Sequence, residues 1–222
     1  MQVPSKPPKQ RTEVRQASLV EAALQLAALR SPADITTTDL AQAVGITQGA
    51  VFRHFASKEA IWLAVMDAVT DLLMNTLRAA ALSAEPNPLG ALEAVFMAHV
   101  AFVVAYPGVP RVIFQELQQP QDSALKASVR ALMQQYRAML TGLLQRAQQE
   151  NLIAPQEDLT GACVLFIGSV QGLVMQAMMS GDVAAMTDLA PGVFAIYQRG
   201  LRASPAAAPP DVASLVTLPV ST

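Results

Sequence analysis

A short stretch between residues 47 and 58 carries side chains suited to contacting the bases and phosphates of a nucleic acid. Gln48 can both donate to and accept from the edge of an adenine, and Ala50 can offer its methyl group to a thymine. Gly49, between them, would let the backbone approach a groove closely because it has no side chain. The basic residues that could meet phosphates are Arg53, His54 and Lys58.

Two short helices joined by a tight turn would position these side chains. The run from Thr36 to Asp39 predicts the start of a helix that continues through Ala43, because hydroxyl and carboxylate oxygens cap free amide groups. Gly45 would end that helix, and Thr47 would cap a second one over residues 48–55. The apolar residues that would hold the pair at a fixed angle are Leu40, Ala41, Val44, Ile46, Val51 and Phe55. This spacing is typical of a helix-turn-helix, whose second helix enters the major groove of DNA.

The stretch TTTDLAQAVGITQGAVFRHFASKEAIWLAV resembles the N-terminal domain of tetracycline-repressor-type (TetR/AcrR) transcription regulators. The resemblance covers about residues 11–65, including the Gly45 turn and the residues around His54 and Lys58. It departs from the family at Phe52, where a tyrosine whose hydroxyl would reach a phosphate is more usual, and Arg53 stands beside it. The DNA contacts that the resemblance implies are at Thr37, Thr47, Gln48, Gly49, Ala50, Phe52, His54 and Lys58.

The whole chain predicts an all-α fold, with three helices in an N-terminal helix-turn-helix domain and six in a larger C-terminal ligand-binding and dimerisation domain. Apolar periodicity and the positions of proline and glycine predict helices at about residues 11–30, 36–43, 48–55, 58–82, 89–105, 110–118, 122–150, 157–180 and 184–201. The domain boundaries that follow are a flexible basic arm at 1–10, the helix-turn-helix domain at 11–57, the helical body at 58–202 and a disordered, proline-rich tail at 203–222.

The charge distribution is compatible with a DNA-binding head on an acidic body. The 222 residues have a net charge of −2, but residues 1–58 hold seven Lys or Arg against four acids, and the rest hold eight against thirteen. The positive end would face a phosphate backbone without making the whole protein bind every polyanion. With 52% hydrophobic and only 14% charged residues, the chain is expected to fold and to bury a substantial core.

Residues for catalysis or metal binding are scarce. One cysteine, Cys163, permits neither an intramolecular disulfide nor a zinc cluster built from thiolates. The basic N-terminal residues are not followed by the apolar core of a signal peptide, which favours a cytoplasmic protein. The sequence shows no glycine-rich phosphate loop and no metal-binding histidine pair, so we predict no catalytic residue, no metal, no cofactor and no enzyme.

The segment from residue 159 to residue 181 has no charged residue, which raises the possibility of a membrane span. Polar residues interrupt it and no aromatic belt or basic flank follows, so a buried helix at a protein interface is favoured. The resemblance places a homodimer interface on the last two long helices. The residues assigned to it are Cys163, Ile167, Gly168, Val170, Gly172 and Val174, for which an intrachain core remains the alternative.

The resemblance also implies a small-molecule cavity in the body. Candidate lining residues, all of which could equally belong to the core, are Met66, Phe96, His99, Phe102, Phe114, Met133 and Tyr136. The predicted function is therefore a homodimeric repressor that binds a palindromic double-stranded operator and is released by a small apolar effector. The alternatives are a ligand-independent DNA-binding regulator and, less favoured, a membrane-associated helical protein or an enzyme.

Overall fold

The computed structural model describes residues 12–202, and this part of the chain is all α-helical. The predicted arm and tail, residues 1–10 and 203–222, lie outside the described residues. The nine α-helices within residues 12–202 are α1 (Thr12–Leu29), α2 (Thr37–Ala43), α3 (Gln48–Val51), α4 (Lys58–Ser83), α5 (Pro88–Ala105), α6 (Gly108–Leu117), α7 (Ala124–Gln149), α8 (Leu159–Ser180) and α9 (Ala185–Arg202). The predicted all-α class is confirmed.

Local capping decides where most of these helices begin. Thr36 and Asp39 form a reciprocal capping box at the start of α2, and the Thr47 hydroxyl accepts a hydrogen bond from the Ala50 amide at the start of α3. Ser57 caps α4 in the same way. Because each of these bonds spans only a few residues, their positions could be predicted from the sequence.

Two local details differ from prediction. The second helix of the helix-turn-helix is shorter than 48–55, because α3 ends at Val51 and the chain continues through turns to His54. The His54 and Phe55 amides both donate to the Val51 carbonyl, so the end of the predicted helix becomes a tightened turn. A 3₁₀ turn at Pro32–Asp34, which was not predicted, connects α1 to α2.

The body is organised around α5, which packs against α4, α7, α8 and α9. Its Phe96 meets Phe166 of α8 edge-on, with ring centroids 5.3 Å apart, and Phe166 in turn meets Tyr197 of α9 at 5.4 Å. Edge-to-face aromatic pairs of this kind contribute about 0.5–1.5 kcal/mol beyond their buried area. The α8–α9 pair is therefore fixed to the body by an aromatic cluster.

The joint between head and body runs through α1, which packs against both α4 and α6. At Gly108, the first residue of α6, a Cβ atom would lie only 2.4 Å from the Leu24 carbonyl oxygen and 2.9 Å from the Ala28 amide nitrogen, both in α1. Only glycine allows the two helices to approach this closely. The position of α6 is thus tied directly to the first helix of the head.

Within residues 12–202, three helices are long and apolar enough to cross a membrane by length and composition alone. They are α4, α5 and α8, whose most apolar windows are 44%, 50% and 44% buried inside the protein. Much of this apolar surface is therefore already used in packing the helices together.

Candidate nucleic-acid interface and ligand cavity

The turn between α2 and α3 depends on Gly45, whose φ of +67° lies in the left-handed region. The Gly45 amide donates to the Gln42 carbonyl at 3.2 Å, and the Ile46 amide donates to the Ala41 carbonyl at 2.9 Å. No atom lies within 4 Å of a Cβ built on Gly45, so the requirement for glycine comes from the backbone conformation rather than from space. Leu40 and Ala41 of α2 and Val51 of α3 are buried, as the apolar spacing predicted, and the two helices pack against each other.

Two side chains of α1 hold the helix-turn-helix from behind. Arg15 Nη1 donates to the Val44 carbonyl at 3.3 Å, next to the turn, and Gln16 Nε2 donates to the His54 carbonyl at 2.9 Å, after α3. These bonds join residues 29 and 38 positions apart. Sequence reasoning missed both roles, because no local pattern marks a donor whose acceptor is so distant in the chain.

The start of α2 is fixed by charge as well as by capping. The Thr36 hydroxyl and amide both donate to the Asp39 carboxylate, and Arg30 forms an ion pair with it at 2.9 Å. These hydrogen bonds from Thr36, followed by that from Arg30, hold the pKa of Asp39 well below its usual range. The carboxylate is therefore ionised at neutral pH, which keeps α2 and its Thr37 in place.

Gln48 and Thr37 lie together on the outer side of the head, where Gln48 Nε2 donates to Thr37 Oγ1 at 2.9 Å. Gly49 is exposed and has no atom within 4 Å of a Cβ position, so a groove could approach its backbone closely. The structure thus brings together three of the residues predicted to contact DNA. Thr47 is exposed beside them while its side chain caps α3.

The other residues predicted to contact DNA differ in solvent exposure. Phe52 is 49% exposed and Arg53 is also exposed, so both are free to meet a partner. His54 is half-buried, and its Nδ1 is enclosed with no hydrogen-bond partner among the described residues. Lys58 Nζ donates to the Ala33 carbonyl at 2.9 Å, beside the 3₁₀ turn.

Ala50 is a correction to the sequence prediction. We expected it on the outer side of the second helix, but it is only 7% exposed and is buried. With about 3.6 residues per turn, Ala50 lies nearly opposite Gln48 around the helix axis, so Ala50 faces the core when Gln48 faces outward. The Ala50 methyl group is therefore not available to contact a thymine.

The body contains a cavity of about 470 Å³ between α5, α6, α7 and α8, with Leu73 of α4 at one wall. Four of the seven predicted lining residues do line it, namely His99, Phe102, Phe114 and Met133. Met66, Phe96 and Tyr136 do not, because they are fully buried in the core. Residue type alone could not separate these two groups, since both are large and apolar or aromatic.

His99 is the least exposed of the polar residues that line this cavity. Its Nδ1 lies 3.1 Å from the Tyr136 hydroxyl, so these two polar groups satisfy each other. Burial lowers the pKa of His99 to about 4, and burial also raises the pKa of Tyr136 far above its usual value. Both groups are therefore neutral at pH 7.

The predicted dimer-interface residues divide between two faces of α8. Cys163, Ile167, Val170 and Val174 are buried within the protomer, so their assignment to the interface is corrected to the intrachain alternative. Ile167, Val170 and Val174 line the cavity, and Cys163 Sγ lies 3.5 Å from Thr141 Oγ1. Gly168 and Gly172 lie on the opposite, exposed face. The large apolar residues that are exposed on α8 and α9 are Val164, which also borders the cavity, and Leu165, Met175, Met178, Met179, Leu189 and Ile196.

Two separate parts of the chain match known protein families. Residues 19–65 match the family described as "Bacterial regulatory proteins, tetR family", and residues 115–192 match "Tetracyclin repressor-like, C-terminal domain". Together the two matched ranges cover more than half of the chain. The nucleoid occlusion factor SlmA of Vibrio vulnificus (strain YJ016) is 27% identical over 169 residues, which are 76% of this chain and 83% of SlmA.

Two solved structures share the fold. The regulator FadR from Bacillus subtilis, in complex with stearoyl-CoA, superposes with a TM-score of 0.73 at 17% identity and covers 83% of this chain and 98% of FadR. AibR, in complex with isovaleryl coenzyme A and operator DNA, superposes with a TM-score of 0.63 at 21% identity and covers 72% of this chain and 86% of AibR. At these identities the likeness shows a common fold.

Proposed function

Because the chain belongs to the TetR family of bacterial regulatory proteins, we propose that it represses transcription as a homodimer and leaves a palindromic operator when a small apolar molecule enters its cavity. The family assignment makes it a DNA-binding transcription regulator and not an enzyme. Our proposal adds four points to the family assignment: the response to a ligand, the dimer, the individual DNA contacts and a cytoplasmic location.

The observation that carries the ligand response is the double attachment of α6. On one side of this helix Ile113 and Phe114 line the cavity. The next residue, Gln115, accepts hydrogen bonds of 3.1 Å from the Ser31 hydroxyl and the Ala33 amide, both at the 3₁₀ turn between α1 and α2. A ligand that displaced α6 would therefore move a helix bonded to the head.

A ligand can release DNA only if it binds more tightly to the arrangement that does not fit the operator. Gly108 packs directly against the backbone of α1. Because packed helices do not compress, a displacement at the start of α6 would also move α1 of the head. The tight connection between α6 and α1 favours a ligand-responsive repressor over a ligand-independent regulator. FadR and AibR, which share the fold, each hold an acyl-coenzyme A in their solved complexes, which supports a cavity that takes ligands with an apolar part.

Dimerisation follows from the size of the head. One helix-turn-helix contacts few base pairs, so useful specificity needs two heads about one DNA turn apart, roughly 34–36 Å. We assign the dimer interface to the exposed face of α8 and α9, which carries Gly168, Gly172 and the large apolar residues named above. Glycines there would allow two helices to pack closely, and burial of the apolar side chains would stabilise the dimer.

The DNA-reading surface that we propose is the outer side of the head. Gln48 would read a base edge, and the exposed Arg53 and half-buried Lys58 would meet phosphates. The full set is Thr37, Thr47, Gln48, Gly49, Phe52, Arg53, His54 and Lys58.

Selection of bound fragments from the source genome by the purified full chain would test the proposal. We expect a palindromic consensus with half-sites about one turn apart, and binding of one or two dimers to a labelled fragment in fluorescence anisotropy. Candidate small molecules would then be titrated into the complex. Failure to select any consensus would refute the DNA-reading surface. Unchanged operator affinity with every compound that occupies the cavity would instead favour the ligand-independent regulator.

A further inference from the structure

The cavity divides sharply into an apolar wall and a polar mouth. Most of its lining consists of aliphatic and aromatic side chains from α5, α6 and α8. The mouth carries exposed polar side chains, three of them at helical spacing on α7 and one on α8. These are Arg130, Gln134, Arg137 and Gln171.

The two arginines at this mouth are not equivalent. Arg130 Nη1 lies 2.7 Å from the Asp122 carboxylate, so its charge is already balanced. Arg137 takes part in no ion pair among residues 12–202. Arg137 is therefore an arginine that has no acidic partner in the described part of the chain and lies at the mouth of an apolar cavity. A guanidinium binds carboxylate and phosphate groups strongly because its N–H groups match their oxygens.

The inner end of the cavity offers no charge. His99 is neutral and its Nδ1 lies 3.1 Å from the hydroxyl of the core residue Tyr136, and every other lining side chain that is not exposed is apolar. Burying an anion there without a partner would be costly. A charged ligand would thus have to enter with its apolar end first and keep its charge at Arg137.

We infer that the ligand of this cavity is an amphipathic anion, with an apolar chain or ring system inside and a single carboxylate or phosphate group at Arg137. The inference rests on the proposed function, because it specifies the effector of the same cavity. A volume of about 470 Å³ lies in the range of roughly 300–1,000 Å³ that is usual for small-molecule sites.

Isothermal titration calorimetry on the full chain without DNA would test this with three probes of equal chain length. These are decanoate and decyl phosphate, each below its micellar concentration, and 1-decanol, below its solubility limit. At least one anion should bind about tenfold or more tightly than the alcohol, as expected for a charge-assisted hydrogen bond in a partly buried site. The better of the two anions would identify the headgroup. Equal binding of all three probes, or no binding by any, would overturn the inference.

Variants at Arg137 separate charge recognition from general loss of binding. Arg137→Gln should reduce the anion-to-alcohol preference to about one while leaving decanol affinity unchanged, and Arg137→Lys should retain most of the preference. Arg78→Gln removes the same charge from an exposed position on α4 that does not line the cavity, and it should behave like the wild type. A preference that survives Arg137→Gln, or that is lost equally in Arg78→Gln, would contradict the inference.

Repeating these titrations in the presence of labelled operator distinguishes the inference of an anionic ligand from the proposed effector function. If decanol binds as well as the anions and releases DNA, the effector function stands and the anion inference is wrong. If the anions bind through Arg137 but operator affinity does not change, the cavity is an anion site and the effector function is wrong.

Discussion

The side-chain amide of Gln48 donates to the hydroxyl of Thr37 at 2.9 Å, which joins the two helices of the helix-turn-helix on their outer side. One amide N–H is thereby occupied, and the carbonyl oxygen and the second N–H stay available for a base edge. A bidentate contact to adenine needs one donor and one acceptor in a fixed plane. The bond to Thr37 thus orients Gln48 before DNA arrives.

Gln48→Ala should weaken binding to the selected operator by about 1–3 kcal/mol, because the base contact is lost. Anisotropy titrations against the operator and a scrambled fragment would measure it. The free energy of unfolding should change little, since Gln48 is exposed. Gln135→Ala, at an exposed site on α7 in the body, is the matched control and should bind normally. Undiminished selectivity in Gln48→Ala would remove this residue from the reading surface.

Lys58→Ala should weaken binding to all DNA sequences alike, because a phosphate contact carries no sequence information. The slope of log affinity against log salt concentration should become shallower by about one. Lys126→Ala removes a lysine from α7, where its Nζ donates to the Gln121 carbonyl at 3.2 Å, and should leave the slope unchanged. An unaltered slope in Lys58→Ala would mean that Lys58 serves only to hold Ala33.

Gly108→Ala should destabilise the protein by about 1–3 kcal/mol, because the new methyl group would meet the α1 backbone, which cannot rotate away. Urea unfolding would measure the change. Gly142→Ala, in the interior of α7 with nothing within 4 Å of its Cβ position, should instead stabilise by about 0.5–1 kcal/mol. If the two substitutions shifted stability in the same direction, the close contact between α1 and α6 would not be a constraint in solution.

His99 should make the protein less stable as the pH falls from about 6.5 to about 4. Its pKa is about 4 in the folded protein, against an ordinary value of 6.5, so in this window the unfolded chain binds a proton that the folded protein does not. The free energy of unfolding should therefore decrease on acidification, by at most about 1.4 kcal/mol per pH unit from this group. Above pH 6.5 the contribution is constant.

The comparison with His99→Gln isolates that contribution, because the carboxylates titrate in both proteins. The difference in unfolding free energy between wild type and variant should change across pH 4–6.5 and be flat above it. An amide can still bond to Tyr136, so the variant should fold. A difference that does not vary with pH would contradict the burial of His99 as a neutral group.

Ile196→Glu should convert the dimer to a monomer in sedimentation velocity and reduce operator affinity in parallel. The side chain is 64% exposed on α9, on the face that we assign to the interface, where a buried carboxylate would be unpaired. Leu82→Glu makes the same type of change at a residue 70% exposed near the end of α4, and it should remain dimeric. A dimeric Ile196→Glu protein would require a different interface.

The helices of the fold, and the outline of the head, could be predicted from short-range chemistry. Thr36, Thr47 and Ser57 cap helices through bonds that span three residues, and Gly45 turns the chain because of its own backbone conformation. Such effects depend on neighbours in sequence. This is why the helix-turn-helix, the nine α-helices within residues 12–202 and the family could all be identified from the chain alone.

The sequence by itself therefore determined the class of the protein and where its helices begin. Tertiary structure alone decided which faces those helices bury. Helix α8 is apolar almost all round, so its periodicity cannot tell Ile167, which is buried and lines the cavity, from Leu165, which is exposed and does not. In the same way, Phe102 lines the cavity and Phe96 fills the core. The physical reason is that burial depends on the packing of several helices at once, and this information is not present in any one of them.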